Sequence, residues 1–230
     1  LDVENAYMID DGTFNYIKGV SPKGELIGRV DFTEGKFPNM CPAIDGSVSW
    51  NAGSYSPKTG LMYKATQQWC FDLEVVKADR PKDFSGQNYF GASWTATHPK
   101  GKQAYGTIQA RDPISGKMAW RVEYKYPVLA SLLSTKGDLV FVPGADGVFQ
   151  ALDAKTGKPI EEFGDGGKVD LHTGLPEVAK NKFILSATPG TVFENLIIMP
   201  VRLSEGADAA PGDLRAFDVI TGKDRKSTRL

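Results

Sequence analysis

A turn that returns along the chain limits most what this sequence can fold into. Ala110-Arg111-Asp112-Pro113-Ile114-Ser115-Gly116-Lys117, Ala151-Leu152-Asp153-Ala154-Lys155-Thr156-Gly157-Lys158 and Ala216-Phe217-Asp218-Val219-Ile220-Thr221-Gly222-Lys223 share the pattern A-x-D-x-x-[ST]-G-K. Ser54-Tyr55-Ser56-Pro57-Lys58-Thr59-Gly60 is a looser copy. Each reads as a hairpin: a strand ends on a small residue, Asp accepts hydrogen bonds from the turn amides, and Gly takes the positive φ. After the first copy Trp120 opens the next strand. One such turn is only a good hairpin. From Asp112 to Asp153 is 41 residues, however, which is the period of a propeller blade. From Asp153 to Asp218 is 65, so the second interval carries an insertion or a changed register.

The rest of the chain agrees with an all-β fold. Gly 25 and Pro 14 punctuate short apolar runs such as Asp138-Leu139-Val140-Phe141-Val142 and Leu196-Ile197-Ile198-Met199, which read as strands. Leu175 to Lys182 is the best helical candidate, a turn or two long. A formal charge of −1, with basic residues clustered only at the far end, gives no electrostatic support to nucleic-acid binding. No stretch approaches the roughly 18–20 apolar residues of a membrane helix. The opening Leu1-Asp2-Val3-Glu4 has neither a start Met nor a signal peptide, so an earlier part is expected.

The second turn is followed by Pro159-Ile160-Glu161-Glu162 where an aromatic residue should open a strand. Gly164-Asp165-Gly166-Gly167-Lys168, just beyond, is no phosphate loop, because Glu162 stands where the first Gly must be and Val169 where Ser or Thr must be. Cys41 and Cys70 are 29 residues apart and, from the residues alone, are either a disulfide or two buried thiols. They form no C-x-x-C, and His98 and His172 lack ligand spacing, so this is not a zinc site.

The turn with its Trp resembles the tryptophan-docking repeat of the quinoprotein alcohol and glucose dehydrogenases, eight-bladed propellers that use pyrroloquinoline quinone (PQQ) and Ca²⁺. Cys41-Pro42, then Trp50-Asn51-Ala52-Gly53-Ser54-Tyr55-Ser56-Pro57-Lys58-Thr59-Gly60, then Cys70, is similar to a longer motif of that family. The resemblance implies a fragment of an eight-bladed propeller and a dehydrogenase oxidising an alcohol or sugar by hydride transfer to the quinone. It also implies a periplasmic location and a periplasmic electron acceptor, cytochrome c or a quinone. An alternative of another class is a non-catalytic propeller scaffold binding protein partners at the outer membrane, in which the Cys41, Trp50, Cys70 segment has no explanation.

Site residues follow from the resemblance one by one. Ser49 falls where many relatives place an Asn touching the quinone, with Trp50 beside it; Trp50 also reads as a core residue of its blade. Leu129 stands near the position of an aromatic residue in the methanol-oxidising members. Glu205 is the nearest match to the metal-binding Glu, with Asp208 as a substitute and a solvated loop residue as the plain reading. The matching cysteine pair is disulfide-bonded in relatives, which implies a Cys41 to Cys70 bridge. The family's catalytic Asp lies in a W-D loop, and none of the Trp residues here is followed by Asp. No catalytic residue is therefore assigned, and the chain alone is expected to be inactive.

Two parts of the family are resembled. Residues 1–157 resemble carboxy-terminal blades, whereas 158–223, with Phe163-Gly164-Asp165-Gly166-Gly167 and Pro211-Gly212-Asp213-Leu214-Arg215, resemble amino-terminal ones. A permuted or chimeric chain, joined within a turn that both parts contain, is the expectation this raises. Asp224-Arg225-Lys226-Ser227-Thr228-Arg229-Leu230 resembles the translation of a sequencing adapter and is expected to be foreign to the fold.

Overall fold

A computed structural model describes residues 15–76, 91–144 and 146–229. Its frame is three four-stranded antiparallel meanders in series. The first holds β1 (Ser54–Ser56), β2 (Leu61–Gln68), β3 (Tyr105–Arg111) and β4 (Met118–Tyr124). The second holds β5 (Leu133–Ser134), β6 (Leu139–Pro143), β7 (Val148–Asp153) and β8 (Lys168–Asp170). The third holds β9 (Thr191–Phe193), β10 (Leu196–Met199), β11 (Asp213–Asp218) and β12 (Asp224–Arg229). These are propeller blades, and the long segment Leu175–Lys182 contributes only a 3₁₀ turn, Glu177–Ala179.

The three Asp turns occupy one structural position, between the third and fourth strands of each blade. Asp112 Oδ1 accepts from the Ile114 and Ser115 amides, Asp153 Oδ1 from Lys155 and Thr156, and Asp218 Oδ1 from Ile220 and Thr221, all at 2.7–3.1 Å. Gly116, Gly157 and Gly222 close the turns at φ 69, 71 and 67°, a region that costs glycine nothing. The looser copy at Ser56–Gly60 is also a tight turn, but it joins the first two strands of its blade.

Strand alternation explains how the blades stack. Tyr63, Ala65, Ile108, Ala110 and Trp120 of the first blade meet Val140, Val142, Leu152 and Ala154 of the second. Phe141, Phe149 and Ala151, on the opposite face of the second blade, meet Ile197, Met199 and Phe217 of the third. The middle blade is thus covered on both faces, which is why β6 reads as an uninterrupted apolar run rather than an alternating one.

The break after the second turn has a physical reason. Trp120 of the first blade lies over Gly157 of the second and donates its indole N–H to the Ala154 carbonyl at 3.0 Å. The second blade lacks that Trp. After one bridge, Leu152 to Pro159, the chain leaves the sheet and rejoins it as β8. The excursion buries Phe163 against Phe141 and Phe149, with ring centroids 5.6 Å apart in each pair. Gly164 N–H then donates to Thr221 O of the third blade at 2.9 Å. Val169 and Gly164 pack on Gly222 as Trp120 packs on Gly157. Residues 158–223 therefore continue the same stack as the residues before them. Residues 224–229 form the fourth strand of the last blade, with Asp224 paired to Arg215.

A meander sends alternate connections to opposite ends. The Asp turns and Ser56–Gly60 share one end, while the segments leading into β1, β5 and β9 and the connections between second and third strands share the other, here called the loop end. In the first blade that second-to-third connection carries two strands of a satellite sheet, Gly35–Met40 with Cys70–Val75 and Ala92–Thr97. Its small core includes Met40, Phe71, Phe32 and Trp69.

Candidate functional site at the loop end

Ser49 and Trp50 lie in the segment that leads into β1, at the loop end. The segment is pinned on both sides. Before them, Gln67 N–H donates to Ser47 O at 2.9 Å and Gln67 Nε2 to Asp45 Oδ2 at 2.8 Å, while Trp69 Nε1 donates to Asp45 Oδ1 at 3.2 Å. After them, the Lys64 ammonium donates to the Asn51 carbonyl, and burial pushes that lysine below its usual range. Ala52 N–H donates to Ser131 Oγ, and Leu132 N–H to Ala52 O, both at 2.9 Å. Ser131 N–H in turn donates to Ala187 O at 2.9 Å. The lead-in segments of all three blades are thereby laid side by side, with Leu129 near the middle one.

Between the pins, Trp50 stands 84% exposed and Ser49 is half-buried. Trp50 is therefore not a core residue of its blade; that role falls to Tyr63 and Trp120, which point into the stack. The arrangement offers a flat apolar face beside a hydroxyl, which suits one side of a planar ring with polar edges. Below the segment, Cys41 and Cys70 form a disulfide with Cα atoms 4.5 Å apart, both residues buried. The bridge ties the start of the segment to the strand that follows β2.

The metal expectation is not supported by the placement of its residues. Glu205 is exposed in the connection ahead of β11, and Asp208 is engaged by Lys182 at 2.9 Å. No group of three His, Cys, Asp or Glu able to hold an ion occurs among the described residues. A hard cation needs several oxygen ligands, so the described residues do not fit one. Both histidines are engaged elsewhere, His98 Nδ1 accepting from Ala104 N–H and His172 lying between Asp170 and the Lys182 carbonyl. Sequence reasoning missed Asp45, Lys64, Gln67 and Ser131. A signal for Gln67 was the polar pair Gln67-Gln68 ending a strand that opens on the apolar Leu61-Met62-Tyr63.

Residues 129–225 match the family model for the glucose/ethanol/alcohol dehydrogenase β-propeller domain. Quinoprotein alcohol dehydrogenase PedE of Pseudomonas putida is 35% identical over 155 residues, 66% of this chain and 23% of the relative. The quinohemoprotein alcohol dehydrogenase of Comamonas testosteroni is 31% identical over 241 aligned residues, 93% of this chain and 34% of the relative. The chain belongs to the PQQ-dependent quinoprotein alcohol dehydrogenase family. Its propeller fold is matched by a europium-containing methanol dehydrogenase at a TM-score of 0.61 and 23% identity, over 88% of this chain and 30% of that one. The chain thus spans roughly a quarter to a third of the family members it matches.

Proposed function

We propose that this chain supplies three adjoining blades of a PQQ-dependent dehydrogenase for a small alcohol, and that its loop end forms one wall of the quinone site. The exposed Trp50 ring, at the place where the lead-in segments of three blades align, carries this reading. Bound PQQ supplies a hydride acceptor for the alcohol carbon. Trp50 offers the ring a flat floor that excludes water from one face, and Ser49 offers its edge one hydrogen bond. Neither is an acid or base at neutral pH, so this part of the protein binds and orients rather than moves a proton.

The base and the metal, Ca²⁺ or a lanthanide, are assigned to parts of the propeller other than the described residues, and the isolated chain is inactive. A sugar substrate is not favoured by the alcohol dehydrogenases it matches. The buried Cys41 to Cys70 bridge supports an oxidising compartment, and we place the enzyme in the periplasm, passing electrons to a cytochrome c or a quinone.

The test is titration of the purified chain with PQQ, read by tryptophan fluorescence, for the native chain and Trp50→Leu, with dye reduction by ethanol as a second assay. The native chain quenches saturably, the variant loses that component, and neither reduces the dye. Equal quenching of both removes Trp50 from the site, and PQQ-dependent dye reduction by the native chain refutes inactivity.

A further inference from the structure

We infer that Gln67 and Asp45 are positioning residues that hold the Val48-Ser49-Trp50 overhang in one orientation toward the planar ligand. The inference deepens the quinone-site reading above and rests on it for the identity of that ligand. Gln67 is the last residue but one of β2 and is 1% exposed. Its backbone N–H fixes Ser47 O, and its side-chain Nε2 is shared between Asp45 Oδ2 at 2.8 Å and Gly46 O at 3.2 Å. Asp45 gives its other oxygen to the Trp69 indole. Both carboxylate oxygens are thus used, one on the end of β2 and one just beyond it, and the chain departs from that clamp through Gly46 at φ 75°.

The far side of the overhang is pinned separately, by Lys64 on Asn51 and by Ser131 and Leu132 on Ala52. Only Val48, Ser49 and Trp50 lie between the two pins. A large aromatic ring exposed to water on a free loop would sample many orientations, and fixing it in advance lowers the ordering cost of binding. One feature sets Gln67 apart from an ordinary packing residue: its Oε1 is buried with no hydrogen-bond partner among the described residues. Rotating the amide would set that oxygen against two acceptors, the Asp45 carboxylate and the Gly46 carbonyl, and lose the bonds that Nε2 makes to both. The clamp therefore keeps Nε2 on Asp45 at the expense of Oε1, which shows that the loop contact dominates the choice.

The experiment uses the full chain and three variants: Gln67→Glu, which keeps the shape and sets a carboxylate against Asp45; Gln67→Met, which removes the donor without adding charge; and Gln67→Glu with Asp45→Asn, which restores a donor–acceptor pair with the partners exchanged. Amide hydrogen exchange of the segment 44–52 is read beside global melting. Gln67→Glu and Gln67→Met are expected to speed exchange there about tenfold, the worth of one hydrogen bond to a charged group, beyond any general rise across the blades, with melting lowered more by Gln67→Glu because its carboxylate is buried against Asp45. The double variant is expected to recover most of the loss, and PQQ quenching to weaken and recover in parallel. Unchanged exchange in 44–52, or exchange that rises only together with global unfolding, overturns the positioning role. Absence of PQQ quenching in the native chain removes the quinone reading instead, and the exchange data still decide the clamp. Loosened exchange with undiminished PQQ affinity shows that the clamp does not serve the quinone and overturns the inference as stated.

Discussion

Trp120 lies so close over Gly157 that a Cβ added there would stand 2.6 Å from its ring, and Gly157 itself sits at φ 71°. Gly157→Ala therefore meets two obstacles, the left-handed backbone and the indole. Together these are expected to destabilise the chain by about 2–4 kcal/mol in urea unfolding. Trp120→Phe, which keeps a ring but loses the bond to Ala154 O, should cost about 1–2 kcal/mol. Gly137→Ala is the control, because its nearest neighbour is 3.7 Å away and no positive φ is involved.

The turn aspartates set an acid limit. Backbone N–H donation from Thr221, then the Arg225 guanidinium, holds the Asp218 carboxyl down to about 2. Donation from Ser115 lowers Asp112 in the same way. Their folded values lie below the unfolded value of about 3.9, so their contribution is fully present above that pH and is lost as pH falls toward the folded values. The urea midpoint is expected to drop between about pH 4 and pH 2. Asp218→Asn should lower the midpoint at neutral pH and make that acid limb shallower.

Reducing the Cys41 to Cys70 bridge frees a loop whose ends are 29 residues apart. The loop-entropy relation gives a loss of about 3–4 kcal/mol. Because the bridge joins the lead-in segment to the satellite sheet, the loss should concentrate there. Hydrogen exchange with and without reductant is expected to rise in residues 35–47 and 70–75 before the stacked faces of the blades respond.

Arg215 is buried, with its side chain 3% exposed, and bonds Leu171 O, Thr173 O and Asp224. Deleting residues 224–230 removes its carboxylate partner Asp224 and the fourth strand of the last blade. Breaking a buried pair from one side costs about 3–5 kcal/mol. The truncated chain should lose stability on that scale, whereas a tail foreign to the fold would be dispensable. Thermal melting of the two forms separates the outcomes.

Much of the frame was legible because it is local. The turn pattern names its own hydrogen bonds, and Asp112, Asp153 and Asp218 make the same ones. Apolar runs such as Leu139–Pro143 identify strands because a blade covered on both faces needs them. The missing Trp after Lys158 was visible as a break, but its remedy was not. Phe163 and Gly164 fill that joint only when the third blade is present to be met. The site was less legible. Trp50 resembles a core residue in a string of letters, and nothing local says that its ring faces water. Glu205 has the chemistry of a ligand, but a ligand set is a matter of what surrounds it.

By itself the sequence determined the recurring turn of this protein, an Asp and Gly hairpin found three times and once at the 41-residue spacing of a blade, because such turns depend on contacts within a few residues. Tertiary structure alone decided which face of each strand is covered, how the second joint is made without its Trp, and which loops share an end. It set Ser49 and Trp50 between two pins and left Glu205 outside any ligand cluster among the described residues, because both outcomes depend on residues far apart in the chain brought together by the stacking of blades.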